Sequence, residues 1–144
     1  MALYYNLAVY KSSYQLLKII LLESDNFSRQ YKYTLGQQMK DEAMTLIKNI
    51  YRANKALDKV PAIEEARENL EMIRLHLRLV QEFDQINLKI FVKINQHIED
   101  VSKQLTNWEN FSRKKLSLGG LVPKLQSPES FVAKSAKECA KQIQ

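Results

Sequence analysis

Four cations in one short stretch have a spacing that suits phosphate. Lys48, Arg52, Lys55 and Lys59 step by 4, 3 and 4 residues, so on a helix they form one stripe, nearly opposite the apolar positions of the same stretch. The nearest acid, Asp58, falls off that stripe, and the expectation is unopposed positive charge. Such a stripe holds a phosphate backbone through counterion release, without reading sequence. The pattern also has a plainer use, because cations near a helix C-terminus complement the macrodipole and keep an outer face solvated. A second set, Arg67, Arg74 and Arg78, alternates with Glu71 and Glu82 at spacings of three and four residues. Pairing within the helix would absorb these arginines at roughly a few tenths of a kcal/mol each. Otherwise Arg74 and Arg78 stay available to phosphate or to a partner's acids. Tyr31 and Tyr33 alternate with Arg29 and Lys32, a pattern that can stack bases; we read it instead as a plug for one end of the fold.

Other chemistries find few residues. His76 and His97 fall on different helices, and neither belongs to a Glu-x-x-His pair. Cys139 is the single cysteine, which leaves no disulfide within the chain and no multi-cysteine zinc site. There is no glycine-rich phosphate loop and no zinc-protease helix motif. We assign no catalytic, cofactor or metal-binding residue, and the chain reads as non-enzymatic.

The elements that position these residues follow from apolar spacing. The 144 residues include three glycines and three prolines, and only Gly36 and Pro61 of these lie before residue 119. Residues 1–112 thus lack the punctuation that strands need between them. Four seams step by 3 and 4: Leu3 to Leu21, Met39 to Leu57, Ile63 to Val80, and Phe91 to Trp108. They predict four helices packed at shallow angles. Thr34 with Gln37 reads as a capping box for the second helix, and Pro61 suits the first turn of the third. A turn is expected near Asp84 to Asn87, although neither Gly nor Pro marks it. Short connections make this an all-α, antiparallel up-down-up-down four-helix bundle over residues 1–112. Residues 113–144 hold seven Lys/Arg against two Asp/Glu and read as a basic extension, a linker followed by a short helix from Ser127.

Charge is uneven in the body too. Residues 1–112 hold 15 cations and 14 anions, yet residues 29–59 hold 7 against 3 and residues 60–84 hold 3 against 6. The high isoelectric point therefore mostly describes the tail. No apolar run reaches the roughly 20 residues of a membrane span, and the N-terminus does not read as a signal peptide, so a cytoplasmic setting without membrane partners is expected.

The run IRLHLRLV, residues 73–80, alternates apolar and polar residues as a strand would. It lies inside the third seam and is expected to be helical, with apolar residues on two faces. Leu70, Ile73, Leu77 and Val80 point inward, while Met72, Leu75, Leu79 and Phe83 gather on the far side. The first helix shows a similar surplus around Leu16 and Ile20. Two apolar surfaces on one helix imply self-association, unless the tail or the N-terminal segment covers the outer one.

The stretches YKYTLGQQMKDEAMTLIKNIYRAN (31–54), EARENLEMIRLHLRLV (65–80) and VSKQLTNW (101–108) resemble the accessory variability determinant (Avd) proteins of diversity-generating retroelements. Those are related to the four-helix proteins encoded in ribosomal RNA intervening sequences. The resemblance covers about residues 1–113 and rests on the tyrosine-threonine-leucine-glycine helix start and on the order and length of the helices. It implies a homopentamer that binds a reverse transcriptase and template RNA, with DNA a further candidate partner through phosphate contacts, to support mutagenic retrohoming. Lys48, Arg52, Lys55, Arg74 and Arg78 are the basic residues that this resemblance, carried over, makes the nucleic-acid contacts. The rival expectation is an oligomeric scaffold without a nucleic-acid role.

Overall fold

Apolar residues recur every third or fourth position through most of this chain, and every described element is helical. The computed structural model describes residues 3–121. A 3-10 turn, Tyr4–Asn6, precedes α1 (Ala8–Ser24), a single-turn α2 (Arg29–Lys32), α3 (Leu35–Lys55), α4 (Val60–Glu82) and α5 (Leu88–Leu121). The four long helices α1, α3, α4 and α5 share one core. In cross-section α1 packs on α3, α3 on α4, α4 on α5 and α5 back on α1. Among the described residues there is no strand, and no helix is long and apolar enough to cross a membrane.

Three of the four expected seams are the core. Met39, Ala43, Leu46, Ile50 and Ala53 of α3 are buried, as are Ile63 through Val80 of the α4 seam and Ile94, Ile98, Val101, Leu105 and Trp108 of α5. Leu57 is exposed because α3 has already ended: Ala56 is extended, at φ −75° and ψ 146°. Cross-helix pairs give the direction of the middle helices. Gln38 meets His76, Asn49 meets Asn69 and Arg52 meets Glu65, so α4 runs back along α3. Arg74 meets Glu99 and Arg67 meets Glu109, so α5 runs back along α4.

The α1 seam is a correction. Leu16 and Ile20, expected on an outer interface, are completely buried, together with Val9, Ser13, Ile19 and Ser24. Tyr14 and Leu21, expected inside, are 45% and 42% exposed. Apolar residues nearly surround α1, so their periodicity selects no face. The helix turns inward the side that carries Val9, Ser13, Leu16, Ile20 and Ser24.

The ends also have local causes. Helix α3 starts after Thr34 as expected, but no capping box forms: the Thr34 hydroxyl donates to Gln30 O, and Gln37 pairs with Asp41. Gly36 fits a tight place there: a Cβ would lie 3.2 Å from the Phe27 ring and 3.3 Å from Tyr31 O, so the neighbours would have to give by a few tenths of an ångström. Pro61 falls in the first turn of α4. The turn after α4 lacks glycine because Asp84 takes its place, at φ 59°. Gln85 N–H donates to Val80 O and Asp84 N–H to Gln81 O, the Schellman closure in which a left-handed residue ends a helix. Asn87 then caps α5 by accepting from Ile90 N–H at 2.8 Å. Tyr31 stacks on Phe83 at 5.2 Å, and Ser28 N–H donates to Gln85 Oε1. Tyr31 thus plugs this end and both connections meet there, while Tyr33 stays exposed.

Past residue 112 the expected linker begins as helix, since α5 continues through Arg113 to Leu121. Nothing before Gly119 breaks a helix, and a glycine inside one costs only about 1 kcal/mol. The short helix expected from Ser127, and Cys139, lie outside the described residues.

Candidate functional site

The α3 stripe divides when its side chains are placed. Lys48, Arg52 and Lys55 are exposed. Met44 and Tyr51 stand exposed on the same outer side, and the Lys55 ammonium lies 4.9 Å from the Tyr51 ring centroid. Arg52 is not unopposed. Its Nη1 donates to Asn49 Oδ1 at 2.8 Å and to Glu65 Oε2 of α4 at 3.0 Å. Both members of that ion pair are about half exposed, and such pairs contribute about 0–1 kcal/mol. Arg52 can therefore exchange Glu65 for a phosphate oxygen at small cost. No ion pair among the described residues engages Lys48.

Lys59, expected as the fourth member, is a correction. It is only 1% exposed, and its Nζ donates to Ala53 O at 3.0 Å, Asn54 O at 2.8 Å and Ala56 O at 3.2 Å. These are carbonyls at the end of α3, where the regular helical donors run out; only Ala53 O has a backbone partner as well, the Ala56 N–H at 3.3 Å. A buried ammonium needs such acceptors, and the helix end needs a cation. Lys59 closes α3 onto α4 and is not a surface ligand.

Arg67 and Arg74 of α4 reach across to α5, and Arg74 also keeps the expected partner Glu71 on its own helix. Arg67 Nη1 reaches Glu109 Oε1 at 2.5 Å, where the expected partner was Glu71. Arg113 also meets Glu109, at 2.8 Å, and Glu64 at 3.3 Å. Burial alone would raise the Glu109 carboxyl, but its hydrogen bonds from Arg67 and Arg113 outweigh that and hold it below the ordinary carboxylate range. Arg74 is shared by Glu71 at 3.1 Å and Glu99. Burial would lower its pKa, yet those two carboxylates raise it. Arg74 is therefore matched twice and ties α4 to α5, which removes it from the free phosphate ligands. Arg78 is exposed beside a shallow groove lined by Leu75, Phe91 and Asn95.

On the outer face of α4, Met72 and Leu75 are exposed, 48% for Leu75, and Leu79 is half-buried, as expected. Phe83 is also part-exposed, but one ring face is covered by Tyr31. The matching apolar residues on α1 are Tyr14, Leu21 and Leu22, not Leu16 and Ile20. A signal for them was present: Tyr14 lies four residues before Lys18, as Tyr51 does before Lys55. In both pairs the ammonium sits over the ring, at 5.7 Å in the first.

His76 is buried, with Nε2 facing Gln38 Oε1 at 3.1 Å, and burial pushes its pKa down. Among the described residues no group of three His, Cys, Asp or Glu side chains has the arrangement of a metal site.

Comparison with known families matches residues 7–112 to a model described as bAvd-like. That span covers α1 to α4 and most of α5. No curated protein sequence matches the chain.

Proposed function

The chain belongs to the bAvd-like family, and from that premise we propose that it is a non-enzymatic accessory protein of a diversity-generating retroelement. In this reading it self-associates, as a homopentamer, and brings a reverse transcriptase together with its template RNA to support mutagenic retrohoming in the cytoplasm. The chain order is read as up-down-up-down, supported by the two connections that meet at one end through Tyr31 and Phe83. The observation that carries the nucleic-acid role is the exposed Lys48, Arg52 and Lys55 on α3, interleaved with the Tyr51 ring. Cations beside an exposed aromatic ring suit a sugar–phosphate chain whose bases stack. Arg78 is the further candidate. Glu64 and Glu71 of α4, more than half exposed beside Arg113 and Arg74, offer the polymerase, itself expected to be basic, an acidic contact.

A second reading, a scaffold without nucleic acid, draws support from Glu65 opposite Arg52 and from the near-neutral body. Co-expression separates them. The tagged chain should retain both the reverse transcriptase and the template RNA of such a retroelement through a low-salt wash. The Lys48→Glu, Arg52→Glu, Lys55→Glu chain should keep the enzyme and lose the RNA. Retention of the enzyme with no RNA by the unchanged chain would favour the scaffold.

A further inference from the structure

Two outer strips remain after the core is accounted for. On α4, Glu68, Met72, Leu75, Leu79 and Glu82 follow one another at steps of 4, 3, 4 and 3, an apolar line with an acid at each end. On α1, Tyr14, Leu21 and Leu22 stand out of the bundle, with exposed Lys11 and Lys18 beside them. Each strip is apolar at its centre, and their ends carry opposite charge, with exposed Arg78 flanking the α4 strip on its α5 side. They also lie on opposite sides of the molecule, because α3 and α5 separate α1 from α4.

We infer that these strips meet each other between copies, the α1 strip of one chain packing on the α4 strip of the next. This rests on the self-association in the proposed function and names the faces that make it. A two-fold contact of α4 with α4 would set Glu68 and Glu82 against their own kind and leave α1 uncovered. A contact of α1 with α1 would do the same to Lys11 and Lys18. Only the head-to-tail arrangement pairs lysine with glutamate and covers both apolar strips, and it does so with no second component. Repetition of one such contact closes a ring when the rotation permits, and like charges disfavour the wrong pairings.

Charge exchange tests it on the full chain by light scattering. The unchanged protein should have a multi-copy mass. Lys11→Glu with Lys18→Glu, and separately Glu68→Lys with Glu82→Lys, should each raise the concentration needed for assembly at least tenfold. All four changes in one chain should restore the original mass. All are exposed, and circular dichroism should show unchanged helix. As a second route, a Leu21→Ser, Leu22→Ser chain and a Met72→Ser, Leu75→Ser chain should not assemble alone but should form one-to-one pairs when mixed. An unchanged mass in either charge variant, or no recovery in the combined chain, overturns the pairing of these faces while leaving self-association standing. A single-copy mass for the unchanged protein removes self-association itself, and the pairing with it.

Discussion

Replacing Lys59 with methionine should separate the lysine that folds this protein from those that serve its surface. The change keeps the length of the side chain and removes its charge. Three carbonyls at 2.8–3.2 Å lose their donor. Hydrogen bonds to charged groups contribute about 1.5–3 kcal/mol each. Two offsets reduce the sum: methionine does not have to desolvate an ammonium, and Ala53 O keeps its bond from Ala56 N–H at 3.3 Å. A net loss of about 3 kcal/mol remains after the charge-assisted bonds are set against these offsets, or roughly 10 °C in Tm for a chain of this size. Thermal and urea unfolding at fixed protein concentration would measure it. Below the transition, RNA affinity should stay within about twofold. Lys48→Met should do the reverse, with stability nearly unchanged and RNA binding weakened. A stability loss under about 0.5 kcal/mol in Lys59→Met, or RNA binding lost while the fold holds, would refute the assignment of Lys59 as a helix clamp.

Three further outcomes follow from the same contacts. His76 has a depressed pKa through burial, so the unfolded chain takes up its proton first; stability should be full above pH 6.5 and fall as pH drops below it, and His76→Gln should flatten that step in pH-resolved urea titrations. Glu109 is also depressed, from 4.5, and its contribution should disappear separately, below about pH 4.5; Glu109→Ala, which strands Arg67 against α5, should cost about 2 kcal/mol at neutral pH, less than a fully buried pair because Arg67 is part-exposed. Asp84→Gly should stabilise by about 0.5–1 kcal/mol, measured by urea midpoint, because glycine adopts the left-handed conformation at φ 59° without the Cβ penalty.

What the sequence reveals depends on how far a local rule reaches. The α3, α4 and α5 cores are legible because their apolar residues fall on one side and charges on the other. In α1 the segment Leu16 to Leu22 is apolar at every position but Lys18, so its period separates inside from outside only weakly. Helical spacing puts Lys59 in the stripe only when it is extended four residues past Lys55, where the helix has ended. Arg67 and Arg74 find Glu109 and Glu99 at separations of 42 and 25 residues, which no intrahelical spacing rule contains. The turn expected near Asp84 to Asn87 is present although no glycine marks it, because an aspartate takes the left-handed position there. The outward Met72 and Leu75 were legible, since the helix that carries them already had a complete inner seam.

The salt dependence of RNA binding tests the role of α3 most directly. Three phosphate contacts per protomer, from Lys48, Arg52 and Lys55, predict a log–log slope of about −2 for single-stranded RNA, or roughly a 20-fold loss of affinity between about 50 and 200 mM salt. Changing those three residues to glutamate should abolish this binding while the light-scattering mass stays the same. Binding that keeps its affinity and slope in the changed chain, or that is flat and negligible in the unchanged one, would contradict the assignment of α3 as the nucleic-acid face.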